Sequence, residues 1–243
     1  MKNSLKFLTA AGLLLLGSLT TYNAALRAEY QHGAYKDPLN NYQALSLRNF
    51  NTLNLPAAGI MRVRVESGPF AVYVNKKAAD YVHVKQQGGQ LTVTLNFPEK
   101  EDYLGQGDAV IIRCPRLDLL TAGSTYTRAG SPQTVALRNQ PNRTELLVKG
   151  FTQDSLRLVQ NHTAHVVLAG NHLGQLRAVV GNTTGSTAEL DLSADNRLAA
   201  TDVRVEHRGK LVAQNLELPG LRLHFSDSAQ VELSGAALRV LTK

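Results

Sequence analysis

Seven histidines stand in the chain, and His162, His165 and His172 come closest to a metal-ligand spacing. Imidazoles three residues apart meet on one face of a helix, but on a strand they point to opposite faces. Only stacked strands could bring His207 or His224 to join them. The reading is therefore exposed or corner histidines, with no metal ligand assigned. Glu189, Asp191, Glu206 and Glu232 are the second candidates, because paired carboxylates on adjacent strands can carry out glycoside hydrolysis. Each sits among alternating apolar residues, which places it outward and solvated. The single cysteine, Cys114, closes an apolar run, Val110-Ile111-Ile112-Arg113-Cys114, and reads as a buried small hydrophobe. No Gly-x-Ser-x-Gly, phosphate-cradling glycine loop or zinc-protease helix occurs. These residues assign no catalytic, cofactor-binding or metal position, and the expectation is a protein that is not an enzyme and uses no cofactor.

The elements that would hold these side chains are strands. Leu156-Arg157-Leu158 recurs as Leu176-Arg177-Ala178, as Val203-Arg204-Val205 and as Leu221-Arg222-Leu223. A second alternating pair follows each: Val166/Leu168, Leu190/Leu192, Leu211/Ala213 and Val231/Leu233. Period-two alternation marks a strand with one buried face, and a unit of roughly 20 residues with two such strands predicts stacked coils. Gln160-Asn161-His162, Gly181-Asn182-Thr183 and Ser226-Asp227-Ser228 read as corners. Asn161 and Asn182 fall at matching offsets, so a side-chain ladder is expected there. Upstream, Leu53/Leu55, Met61/Val63/Val65, Ala71/Tyr73, Val82/Val84 and Leu91/Val93/Leu95 alternate as well, and Gly88-Gly89 signals a hairpin. Residues 99–108 read as a charged loop, with strand character resuming at Ala109–Cys114 and Leu117–Leu120. No segment after the N-terminus has helical periodicity, so the class is all-β, with a more hairpin-like N-terminal part.

Hydrophobic residues at 43% and charged residues at 19% fit a packed domain. Aromatics at 6% with no Trp speak against a sugar platform of stacked indoles. The net charge of +7 lies upstream, because residues 1–150 carry 17 Lys+Arg against 10 Asp+Glu while 151–243 carry nine of each. Nucleic-acid binding asks for clustered cations with stacking aromatics. Scattered pairs such as Arg62-Val63-Arg64 do not supply them, so no nucleic-acid partner is expected.

Lys2 and Lys6 precede an apolar run, and Phe7 to Leu26 is uncharged over 20 residues, long enough to span a bilayer. The flanking lysines would keep the N-terminus cytoplasmic. Ala24, Ala25 and Ala28 could precede a cleavage point, but Tyr22, Asn23 and Leu26 two residues earlier are not the small residues signal peptidase prefers. Residues 1–26 are read as a signal-anchor helix or a signal peptide, 27–49 as a linker and 50–243 as the domain. Export is expected either way, to the periplasmic side of the inner membrane with the anchor kept, otherwise to the periplasm or cell surface. No cysteine follows the apolar run, so lipoprotein attachment is not expected. Sequons at Asn142, Asn161 and Asn182 have meaning only on a eukaryotic-type secretory route.

Phe50-Asn51-Thr52-Leu53-Asn54-Leu55 running into Val63-Arg64-Val65, the hairpin ending Gly89-Gln90-Leu91-Thr92-Val93, and rungs such as Ser228-Ala229-Gln230-Val231-Glu232-Leu233-Ser234-Gly235 occur in an order with a known counterpart. In this the chain, from about Phe50 to Lys243, resembles the putative auto-transporter adhesin family with a head GIN domain, a domain of unknown function of exported bacterial proteins. The resemblance implies a right-handed parallel β-helix or β-solenoid behind an export signal. The chain departs from the family's Ser-Gly-Asp corners, offering Ser228-Ala229-Gln230 and Gly123-Ser124-Thr125. The function expected is a membrane-tethered, non-enzymatic surface for a protein or polysaccharide of the cell envelope. The alternatives are a carbohydrate-active β-helix enzyme using outward carboxylates, and an assembly or sensory domain of an envelope complex.

Overall fold

The structure, a computed structural model, describes residues 2–33, 36–100, 104, 107–135 and 144–242. Half of the charged loop expected at 99–108 and the sequon at Asn142 lie outside these residues. Two compact units are formed, Met1–Tyr42 and Gln43–Lys243. In the first, a helix runs from Lys2 to His32. Its stretch Ser4–Gln31 is long and apolar enough to cross a membrane, and Phe7, Leu8 and Leu13 to Leu16 all stand exposed. Residues 27–49 thus hold the end of this helix and a short strand, Tyr42–Leu45, as well as irregular chain.

The second unit is mostly β, in two large sheets of nine and ten strands. From Glu145 onward the chain visits them in alternation. Glu145–Lys149, His165–Ala169, Glu189–Leu192, Lys210–Gln214 and Gln230–Ser234 line up parallel in the first sheet. Thr152–Gln160, His172–Val180, Arg197–Val205 and Leu221–Phe225 line up parallel in the second. Alternate side chains, such as Val166, Leu168, Leu190 and Leu211 from one sheet and Leu156, Leu158, Leu176 and Val203 from the other, enter a single apolar cluster. Each fully buried Leu or Val contributes about 2 kcal/mol of transfer free energy, and the alternation keeps charges out of that layer.

The upstream strands are interleaved with one another. Val63–Ser67 lies between Val110–Cys114 and Glu145–Lys149, and Thr52–Leu55 lies between Gln90–Phe97 and Leu119–Ala122. Antiparallel pairs gather here. Val82–Gln87 and Gln90–Phe97 form a hairpin closed at Gly88-Gly89, with Gly88 at a φ of 57°, as the glycine pair predicts.

One registration differs from expectation. Arg157 faces Arg177, but Arg177 faces Asp202, not Arg204, and Asp202 faces Arg222. The matching triplet is Thr201-Asp202-Val203, two residues before Val203-Arg204-Val205. A slip of two preserves alternation, so the pattern cannot detect it. Thr201, buried where its neighbours are Leu176 and Leu221, conceals the true repeat.

The expected asparagine ladder also falls elsewhere. It forms where the chain passes from the first sheet to the second, between Asn171 and Asn196, both buried. Asn171 Nδ2 donates to Val148 O at 3.0 Å and to Asn196 Oδ1 at 3.1 Å, and Asn171 Oδ1 accepts from the Phe151 amide at 3.0 Å. Asn196 Nδ2 donates to Leu168 O at 2.6 Å. Corner carbonyls and amides that would be buried unpaired are satisfied rung by rung. At the opposite corner Ser124 Oγ accepts from Thr163 Oγ1 at 2.7 Å. Gly59 is required beside it, because a Cβ there would lie 1.9 Å from Ser124 Oγ. The chain closes with a 3-10 helix over Gly235–Thr242, a turn the strand pattern does not announce.

Candidate functional site

Sheet registration sorts the side chains named from the sequence. His165, Glu189 and Asp191 come together on the outer face of the first sheet, their ligand-type atoms all within 4.8 Å of one another. Strand pairing puts His165 opposite Glu189, and His165 Nε2 donates to Asp191 Oδ2 at 2.8 Å. The trio offers an imidazole nitrogen and carboxylate oxygens, a donor set suited to a divalent metal. Its charge is partly offset from within, however. Lys210 Nζ lies 3.8 Å from Glu189 Oε1 and 2.8 Å from Glu232 Oε2. The arrangement is a hydrogen-bonded His165–Asp191 pair beside a Glu189–Lys210–Glu232 ion-pair chain, across four strands.

The other histidines are separated. His162 and His207 occupy matching corners in the left-handed region, at φ 56° and 55°, and their carbonyls accept from Ser186 Oγ and Ser226 Oγ. His172 opens a long strand of the second sheet, and His224 stands exposed on that sheet's outer side. Glu206 lies just beyond the strand ending at Val205, not on it as expected, and pairs with Arg204 at 3.7 Å. Cys114 is fully buried, and burial pushes its thiol up to about 12, so it stays protonated and unreactive.

Further along the same outer face a tighter group surrounds Glu66. Arg113, Glu66 and Lys149 are opposite one another on three adjacent strands. Glu66 accepts from Arg113 Nε at 3.0 Å and lies 3.3 Å from Lys149 Nζ. Arg64 lies 3.5 Å away and also pairs with Asp108. Burial would raise the Glu66 carboxyl, but the hydrogen bonds and charges of Arg113 and Lys149 outweigh it and hold the group below the usual range.

The outer face of the second sheet differs. Arg157, Arg177, Arg204 and Arg222 each come from one of four successive strands and all are exposed. Among the described residues, Arg157, Arg177 and Arg222 have no ion-pair partner. The strands bearing them bend. Buried Leu173 is followed by buried Leu176, and buried Leu198 by buried Thr201, so alternation slips between them. Gly174 marks the bend, because a Cβ there would fall 2.7 Å from Asp154 O. A shallow groove of about 660 Å³ follows it, lined by His172, Gly174, Arg197, Ala199, Glu217 and Pro219 among others. Sequence reading missed Lys210 as the counter-ion of the carboxylates and missed the arginine row. The recurring Arg at the centre of each triplet was the available signal.

The fold and its outer faces define a mostly-β protein whose polar chemistry lies on sheet surfaces. No protein-family model matches the chain, and neither does any curated protein. Among solved structures, a putative adhesin from Parabacteroides merdae is similar at 12% identity over 79% of this chain and 95% of that one, with a TM-score of 0.35. A putative adhesin from Parabacteroides distasonis gives 11% identity, 79% and 95% coverage and a TM-score of 0.37. A putative lipid binding protein, also from Parabacteroides distasonis, gives 11% identity, 80% and 94% coverage and a TM-score of 0.28.

Proposed function

We propose that this chain is an exported, membrane-tethered, non-enzymatic binding module. Its two sheets act as faces of a right-handed parallel β-solenoid, residues 50–243, that displays a surface to a protein or polymer of the cell envelope. Residues 1–26 belong to the export and anchoring helix, and residues 27–49 join it to the module. The observation that carries this reading is the placement of polar chemistry. Charged side chains stand in rows on the outer faces of parallel ladders, a geometry suited to lying against an extended partner. The apolar Ser4–Gln31 helix supports the tether.

The test is a glycan-array screen of the full chain in mild detergent, with envelope polysaccharides included and the bound polymer sized afterwards. Retention of full-length polymer is expected. Shortened polymer would overturn the non-enzymatic reading.

A further inference from the structure

We infer that the outer face of the second sheet is a docking strip for a linear anionic polysaccharide, held by Arg157, Arg177, Arg204 and Arg222. The inference rests on the binding-module reading above and names its partner.

Charge sorting is the first observation. In residues 151–243 the nine cations and nine anions cancel, but between the two sheets they are unevenly shared. The second-sheet strands carry Arg157, Arg177, Arg197, Arg204 and Arg222 against Asp154 and Asp202, whereas the first-sheet strands carry Lys210 against Glu189, Asp191 and Glu232. A half that is neutral in sequence is two-sided in space. The unfavourable juxtaposition of Arg157 and Arg177, opposite each other on adjacent strands, is the second. Like charges facing each other across strands destabilise a sheet, and none of the described acids pairs with either. Such a conflict is what a face looks like when its counter-charge arrives from outside.

Side-chain identity is the third. Every Lys or Arg on these four strands is arginine, although Lys85 lies elsewhere in the second sheet and Arg64 and Arg113 lie in the first. The planar guanidinium fork binds carboxylate, sulfate and phosphate oxygens two at a time. Spacing is the fourth. Arg157 and Arg177 stand opposite each other about 4.8 Å apart. Arg222 lies two strands beyond Arg177 with Asp202 between them, and Arg204 sits two residues along its strand from that row, so the cations form a staggered strip.

Other polyanions fit less well. Nucleic acid would ask for aromatic platforms between the cations; half-buried Val159 and Val179 stand beside Arg157 and Arg177, and one exposed imidazole, His224, lies opposite Arg204. A lipid surface would ask for an apolar fringe to insert. On these strands Phe225 is the large apolar side chain that stands well exposed, and it lies at the end of the row.

The experiment uses the full chain in mild detergent and a triple variant, Arg157→Gln, Arg177→Gln and Arg222→Gln. Polygalacturonate and dextran sulfate serve as carboxylate and sulfate probes, and neutral dextran as the control. Binding of at least one polyanion that weakens with salt, and falls about tenfold or more in the triple variant, is expected. Retained secondary structure in the variant shows that the fold survives. Equal binding by both proteins, or no binding of either polyanion, overturns the inference. Salt-insensitive binding of neutral dextran by both would do so while leaving the binding-module reading intact. A thymidine oligonucleotide binding more tightly than both polysaccharides also overturns it. So does flotation with phosphatidylglycerol vesicles that the triple variant loses while neither polysaccharide binds.

Discussion

The two outer faces share one ladder geometry and differ in how far they neutralise their charges. On the first sheet, unlike charges meet in register, as in Arg113–Glu66–Lys149 and Glu189–Lys210. On the second, Arg157 meets Arg177 with no described acid paired to either, although Asp202 stands between Arg177 and Arg222 in the same row. The first face uses its charges to tie neighbouring strands together. The second keeps a like-charge contact that costs stability, and the proposed docking strip rests on it.

The harshest way to break the comparison is to remove the frame both faces share. Asn171→Ala deletes the acceptor for the Phe151 amide and the donor to Val148 O. It leaves the buried Phe151 amide unpaired and removes two further side-chain hydrogen bonds, a loss of about 3 kcal/mol in urea unfolding. Next is Glu66→Gln, which leaves Arg64, Arg113 and Lys149 facing one another. A loss of about 2 kcal/mol at pH 7 is expected. The same variant tests the sign of the pH effect. The Glu66 carboxyl is depressed in the folded state, so its stabilisation is present above the unfolded value of about 4.3 and fades as pH falls through the folded value. Urea midpoints of wild type and Glu66→Gln should therefore converge as the pH is lowered from 7 to 3, and a constant gap would deny the ion-pair role.

Arg157→Gln sharpens the contrast by changing sign. Arg157 faces Arg177 on one side and Leu119 on the other, so relief of the repulsion should raise the melting temperature by about 1 °C, measurable by circular dichroism at low salt and smaller at high salt. A drop would show that Arg157 supports the sheet. The smallest effect is a null one. Cys114, beneath the first face and with its thiol pushed up to about 12, should resist a thiol reagent at pH 8 until urea unfolds the protein.

The strands and their inward faces were legible in the sequence, because alternation is the direct imprint of a sheet with one dry side. The first-sheet repeat of Val166/Leu168, Leu190/Leu192, Leu211/Ala213 and Val231/Leu233 pairs in the register the sequence suggests. The second-sheet repeat was misread by two residues at Thr201, since a buried threonine breaks the apolar pattern while keeping its phase. The candidate site was less legible. His165, Glu189 and Asp191 were singled out separately, but their meeting depends on inter-strand register, which no local spacing encodes. Lys210 and the arginine row escaped notice for the same reason. A charge summed along the chain cannot show which side of a sheet it lands on.

The interleaving of the upstream strands has a consequence for how the molecule is assembled. From Glu145 onward each strand finds its neighbour in the next turn of chain, so growth can proceed rung upon rung, like closing a zip. Thr52–Leu55 has to wait until both Gln90–Phe97 and Leu119–Ala122 exist before it can be enclosed. Such long-range closure is slow. The amino-terminal end of the domain is therefore expected to limit refolding, so stopped-flow measurements should show substitutions there delaying it more than equally disruptive ones among the regular rungs.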